Sequence, residues 1–102
     1  MLLSIDTKDA LIKLGNRLRN ERLRRNESQR IFAARIGVSI PTLHKMESGD
    51  SRVQFGYWVA TLDILGRIDE MEHLLSAPEN MFDKYQQSQR AVRQRASRRK
   101  TG

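Results

Sequence analysis

Two short helical patterns follow each other between residues 28 and 49, and each is opened by Ser and closed by Gly. Ser28 and Ser39 are suited to be N-caps, because a Ser side-chain oxygen accepts hydrogen bonds from the unpaired N–H groups of a first turn. Gly37 and Gly49 follow the last apolar residue of each pattern, where a helix often ends in a left-handed residue that lacks a Cβ penalty. The segment therefore predicts two short helices joined by a tight turn.

The apolar residues of these two helices are predicted to share one buried face. Phe32, Ala33 and Ile36 recur at helical spacing in the first helix, and Leu43 and Met46 do so in the second. Side chains on the opposite side of the second helix must then point outward, because residues three and four apart lie on one face.

Apolar residues at helical spacing predict three further helices, over residues 9–25, 55–65 and about 68–75. The positions that define them are Leu11, Leu14 and Leu18 in the first, Phe55, Trp58, Val59, Leu62 and Leu65 in the second, and Ile68, Met71, Leu74 and Leu75 in the third. The five positions of the second are expected to face the core. The last stripe is too large for one short helix to bury, so we predict a dimer or partner contact there. The fold class predicted is all-α, with five helices.

A chain of 102 residues is long enough for one domain with an appendage. We expect an N-terminal arm at residues 1–9, the helical domain at 10–76 and a C-terminal extension at 77–102. The extension is polar and becomes rich in Arg, Gln and Ser from about residue 88, so we expect disorder from there.

The net charge of +7 is divided unevenly along the chain. Residues 1–62 hold 11 Lys and Arg against 6 Asp and Glu, residues 63–89 hold 2 against 6, and residues 90–102 hold 6 bases and no acid. A basic body and a basic tail predict a polyanionic partner, whereas the acidic stretch between them is better suited to contact protein.

Several function classes have no support in the composition. The chain has no Cys, hence no thiolate metal site and no thiol nucleophile, which fits a reducing cytoplasm. No window is long and apolar enough to span a membrane. His44 shares one helix with its polar neighbours and cannot converge with them on a substrate, and His73 with Asp69 offers too few metal ligands. We therefore predict no enzyme, no metal and no cofactor.

The stretch "SQRIFAARIGVSIPTLHKMESG" strongly resembles the Xre/Cro family of lambda repressor-like proteins, and the likeness covers about residues 12–66. It implies a lambda repressor-like fold with a helix-turn-helix at 28–49 that binds double-stranded DNA. The longer pattern, which runs on through "GYWVATLDILGRIDEMEHLLSAPENMFD" to an Arg cluster, resembles HipB-type antitoxins. That second likeness implies an antitoxin partnered with a HipA-family kinase, located in the bacterial cytoplasm at the nucleoid.

The first resemblance also implies which residues contact DNA. Gln29 matches a family position that binds the DNA backbone, where the amides and dipole of a helix N-terminus help. Arg30 and Arg52 are either further phosphate contacts or solvated surface charges. The remaining predicted contacts lie on the outward face or at the N-terminal end of the second short helix and are Ser39, Ile40, Pro41, Thr42, His44, Lys45 and Ser48.

Arg22 and Glu47 occupy family positions that form an ion pair between the first and third helices. We expect this pair to orient the third helix and not to contact bases. Removing one partner of a buried pair strands the other charge.

The sequence is compatible with three functions. The first is an antitoxin-like repressor that binds a palindromic operator as a homodimer, represses its own operon and binds a HipA-type kinase. The second is a phage-type or other Xre-family regulator without a toxin partner. The third is an RNA-binding or protein-interaction module in which the helix-turn-helix serves only as a scaffold.

Overall fold

A computed structural model describes residues 2–78, 85–90 and 92 of the chain, and all their regular structure is helical. The helices are α1 (Ile5–Arg24), α2 (Gln29–Ile36), α3 (Ile40–Ser48), α4 (Phe55–Ile64) and α5 (Ile68–Glu72). No β-strand occurs within these described ranges, so the all-α prediction is confirmed for them.

The capping residues predicted for α2 and α3 are confirmed. The hydroxyl oxygen of Ser28 accepts the backbone N–H of Ile31 at 3.2 Å. That of Ser39 accepts the backbone N–H of Thr42 at 3.1 Å. Gly37 and Gly49 end the two helices in the left-handed conformation, with φ of 77° and 76°.

Helix α1 begins earlier than predicted. The sequence pattern places its start at Asp9, whereas the helix begins at Ile5, so residues 5–9 of the expected N-terminal arm are helical. The physical reason is a cap that the apolar pattern does not show. The Ser4 hydroxyl oxygen accepts the backbone N–H of Thr7 at 3.1 Å, and Asp6 lies in the first turn, where a negative charge is favourable.

The core lies where α1, α2 and α3 meet. Its buried apolar residues are Leu18, Phe32, Ala33, Ile36, Leu43 and Met46, and the half-buried residues packed against them are Val38, Val53, Trp58 and Leu65. The predicted inner faces of α2 and α3 are therefore confirmed. Burial of these side chains stabilises the junction that holds α3 in place.

The buried face of α4 differs from the prediction. Phe55 was expected in the core but is 58% exposed, whereas Thr61 is buried. A Thr can be buried in a helix when its hydroxyl bonds the preceding turn, and the Thr61 hydroxyl donates to the backbone carbonyl of Tyr57 at 2.7 Å. The inner face is thus centred on Trp58, Thr61 and Leu65, which leaves Phe55 at the margin of the packed region.

Helix α5 ends at Glu72, before the predicted limit at Leu75. Residues 73–75 form turns, and Leu75 adopts a positive φ of 61°, a conformation that cannot continue a right-handed helix. Leu75 is 96% exposed, and Leu74 is also exposed. In the predicted contact stripe, Ile68 and Met71 are therefore half-buried, whereas Leu74 and Leu75 are exposed to solvent.

Part of the C-terminal extension differs from the expected disorder. Residues 85–90 and 92 are helical, which includes positions beyond residue 88. Polarity alone indicated disorder there, but Gln, Arg and Ala are good helix formers, so a polar segment of this composition is able to form helix. The rest of the stretch from residue 91 lies outside the described residues.

Candidate nucleic-acid interface

Helix α3 presents a polar outer face above a buried inner face. Leu43 and Met46 are fully buried, and on the other side His44, Lys45 and Ser48 are exposed. Ile40 and Pro41, in the first turn of α3, are exposed as well. This is the orientation expected from the spacing of Leu43 and Met46.

The two hydroxyls at the start of α3 are partly engaged in capping. The Ser39 hydroxyl donates to Thr42 Oγ1 at 2.9 Å while it caps the Thr42 backbone N–H. The Thr42 hydroxyl donates to no acceptor among the described residues, whereas the Ser39 hydroxyl hydrogen is used. Ser48 also uses its hydroxyl internally, since it donates to the Lys45 backbone carbonyl at 3.0 Å.

Arg22 and Glu47 form a two-point ion pair between α1 and α3. Arg22 Nε and Nη2 donate to the two Glu47 oxygens at 2.8 and 3.1 Å. Both side chains are withdrawn from solvent, with 11% of Arg22 and 5% of Glu47 exposed. The hydrogen bonds that Arg22 donates to the Glu47 carboxylate raise the pKa of Arg22 above its ordinary value. Arg22 Nη1 also donates to the Glu27 carbonyl at 3.1 Å, so one guanidinium links α1, the α1–α2 loop and α3.

Gln29, expected to bind the DNA backbone, is part of the same network. Its amide Nε2 donates to Glu47 Oε1 at 3.2 Å. One of its two amide hydrogens is thereby used, and the other remains free for an external acceptor. Glu47 thus positions both Arg22 and Gln29.

The two Arg residues with open assignments differ in their surroundings. Arg30 is exposed and forms no salt bridge with any residue in the described ranges. Arg52 pairs with Asp50 through Nε and Nη2 at 3.1 and 2.9 Å, and its backbone N–H donates to the same carboxylate. These bonds lower the pKa of Asp50 to about 2. The charge of Arg52 is therefore largely compensated within its own loop.

Arg19 is a cationic residue that the sequence interpretation missed. It is exposed on α1, one turn before Arg22, and lines a surface niche together with Gln29, His44 and Ser48. Its position three residues before the predicted ion-pair residue Arg22 is a signal that could have identified it, because residues three apart share a helix face.

The polar groups in this niche are not arranged for nucleophilic catalysis. His44, Glu47 and Ser48 all line it, but Glu47 is bound to Arg22 and Gln29, and the Ser48 hydroxyl is bound to a backbone carbonyl. At the other end of the domain, the His73 ring lies 2.7 Å from the Asp69 backbone carbonyl. No cluster of three potential metal ligands occurs within residues 2–78, 85–90 and 92.

An apolar groove separates α1 from α4 and α5. It has a volume of about 520 Å³, and its lining includes Leu14, Trp58, Leu62, Met71 and Leu74. Two residues of the predicted contact stripe, Met71 and Leu74, thus form part of a larger open surface that also includes α1.

Helices α2 and α3 are joined by a glycine turn, and α3 has a polar outer face. This arrangement defines a helix-turn-helix protein, a class typical of DNA-binding regulators. The chain belongs to the helix-turn-helix domain family, which matches residues 13–75. This match supports the Xre-like assignment, and domains of this kind are typically not enzymes. Comparison with curated proteins and with solved structures found no match.

Among the described helices, none has both the length and the apolar character needed to cross a bilayer.

Proposed function

We propose that this protein is a sequence-specific transcriptional repressor that inserts α3 into the major groove of duplex DNA. The observation that carries the proposal is the position of Lys45 and His44 on the exposed face of a helix whose other face is anchored by fully buried Leu43 and Met46. A recognition helix needs this combination, because its outer side chains must reach base edges while the helix itself stays fixed.

The chemistry of the exposed face constrains how bases are read. Ile40 and Pro41 offer apolar surface to thymine methyl groups but cannot donate hydrogen bonds through their side chains. Lys45 and His44 therefore supply most of the polar readout, with a smaller contribution from the Thr42 hydroxyl. Lys45 forms no salt bridge with any described residue, so its ammonium group is available to an acceptor on DNA.

Replacing Lys45 with Ala is expected to weaken binding to the operator by about 1–3 kcal/mol, or roughly 5- to 150-fold, because a base-contacting donor is lost. Binding to an unrelated duplex should weaken much less. The measurement is fluorescence anisotropy at constant ionic strength, with DNA from upstream of the protein's own coding region and with a scrambled duplex. Lys8→Ala, the same change at an exposed position near the start of α1, is the matched control. Equal losses for the two variants would rule out a reading role for Lys45.

We further propose a homodimer on a palindromic operator, with two copies of α3 in successive major grooves about 34 Å apart. A protein contact in this region is supported by the predicted stripe in and just after α5, where Ile68 and Met71 are half-buried and Leu74 and Leu75 are exposed. Contiguous apolar surface of this kind is typical of an interaction site.

Leu75→Asp is expected to raise the dimer dissociation constant roughly 10- to 100-fold, the equivalent of about 1.5–3 kcal/mol for one buried Leu side chain. The fold of one copy should not suffer, since Leu75 is almost fully exposed and Asp tolerates its positive φ better than Leu does. Sedimentation equilibrium over a range of concentrations measures the effect. Leu23→Asp, which places the same charge on an exposed α1 position, should leave the dissociation constant unchanged.

The particular role we propose is that of an antitoxin that represses its own operon and binds a HipA-type kinase. This role rests on the sequence resemblance and on the division of charge along the chain, in which the acidic stretch 63–89 follows the basic residues 1–62 and is better suited to contact protein than DNA. Identification of the proteins that co-purify with the chain from its native cells separates this role from that of a regulator without a toxin partner.

A further inference from the structure

The niche beside α3 is formed by three helices. Its lining residues are Arg19 and Arg22 from α1, Gln29 at the start of α2, and His44, Glu47 and Ser48 from α3. Its volume is about 320 Å³, so a phosphate group fits within it. It opens on the same side of the domain as the exposed residues of α3.

The charges within the niche do not cancel. Arg22 and Glu47 compensate each other through two hydrogen bonds, and Gln29 is neutral. Arg19 forms no salt bridge with any residue in the described parts of the chain. The niche therefore holds one uncompensated guanidinium, together with the second amide hydrogen of Gln29, and both are donors to an anion.

We infer that Arg19 binds a phosphate of the DNA backbone in this niche and so extends the DNA contact from α2 and α3 onto α1. The inference rests on the proposed function, because the phosphate belongs to the duplex that α3 enters. Arg is suited to the role, since its planar guanidinium donates two parallel hydrogen bonds to phosphate oxygens. Arg22 is less suited to the role, because three of its five N–H donors are already bound to Glu47 and the Glu27 carbonyl and its charge is compensated by Glu47.

A phosphate contact and a base contact predict different behaviour. Phosphates carry no direct sequence information, so loss of Arg19 must weaken binding to every duplex by a similar factor. Each phosphate neutralised also contributes a slope of about −0.9 to the plot of log affinity against log salt. A base contact at Lys45 discriminates between sequences instead.

The test compares Arg19→Gln with Arg17→Gln by fluorescence anisotropy across a range of salt concentrations. Arg17 is two residues away on the same helix but lines the apolar groove, and it also forms no salt bridge with a described residue. We expect Arg19→Gln to weaken binding to operator and scrambled duplex several-fold alike and to flatten the salt plot by about 0.9. Arg17→Gln should do neither, and Arg19→Lys, which keeps the charge, should retain most of the slope.

Three results would overturn the inference. If Arg17→Gln flattens the salt plot as much as Arg19→Gln, the effect is one of overall charge and not of this niche. If Arg19→Gln weakens binding to the operator alone, Arg19 reads bases. If Arg19→Gln leaves the affinity unchanged while Lys45→Ala reduces it, the niche is not used although the proposed function stands. A wild-type protein that binds no duplex, in contrast, overturns the proposed function itself.

Discussion

Gly15→Ala is expected to destabilise the fold by about 3 kcal/mol or more, at or above the upper end of the usual cost of overpacking. A Cβ at Gly15 would lie 2.5 Å from the carbonyl oxygen of Glu47 and 2.6 Å from that of Met46. Both obstacles are backbone atoms in the last turns of α3, so no side chain can rotate out of the way. Relief requires α1 to move away from α3, which would open the core around Leu18 and the fully buried Met46.

Gly56→Ala is the matched control for this substitution. Gly56 is also helical, in α4, but a Cβ there meets no atom within 4 Å. Because Ala is favoured over Gly in helices by about 0.5–1 kcal/mol, this variant should be as stable as the wild type or slightly more stable. Urea denaturation followed by circular dichroism gives both free energies of unfolding. Equal stability of the two variants would mean that α1 and α3 do not approach each other as closely as described.

Glu47→Ala is expected to reduce the free energy of unfolding by about 3 kcal/mol, because it leaves the guanidinium of Arg22 withdrawn from water without its anionic partner. The effect should fall at the lower end of the range known for broken buried pairs, since Arg22 keeps its hydrogen bond to the Glu27 carbonyl. Gln29 also loses its acceptor in this variant. Both changes loosen the attachment of α3, so affinity for DNA should fall together with stability.

Two further variants separate the stranded charge from other consequences of the substitution. The double variant Arg22→Met with Glu47→Leu removes both charges and should recover most of the lost stability, because apolar residues of similar volume often replace a buried ion pair at little cost. Arg35→Ala breaks the exposed pair between Arg35 and Glu27 and should change stability very little. Chemical denaturation of the wild type, Glu47→Ala, the double variant and Arg35→Ala gives the four free energies of unfolding to compare. If the double variant is no more stable than Glu47→Ala, a stranded charge is not the cause of the loss.

The comparison of α2 and α3 with α4 shows where prediction from sequence succeeds. Ser28, Gly37, Ser39 and Gly49 act through hydrogen bonds and backbone angles within one turn, so the sequence predicted both helices correctly. The predicted core face of α4 was partly wrong at Phe55, because the burial of a residue depends on which other helix lies opposite it. A periodic pattern identifies an apolar face but not the extent of the surface that covers it.

The candidate interface was predicted unevenly for the same reason. The outward positions of His44 and Lys45 follow from the burial of Leu43 and Met46, and the structure places them on the outer face. Arg19 was missed because, although it lies three residues before Arg22, the sequence does not show that this face of α1 forms a niche with α2 and α3. The assignment of these residues to DNA contacts stays a prediction until the variants above are measured.

The sequence by itself determined the helical class, the turn between α2 and α3 and the residues available for an outer face, since these depend on interactions within a few residues. Only the tertiary structure decided that Arg22, Gln29 and Glu47 form one network, that Arg52 is compensated by Asp50, and that Arg19 lies beside α3 without an ion pair to any described residue. Pairing of charges depends on distances of a few ångströms between side chains from different helices. Those distances are set by how closely the helix backbones pack. At Gly15 the absence of a Cβ allows α1 to lie close to the backbone of α3.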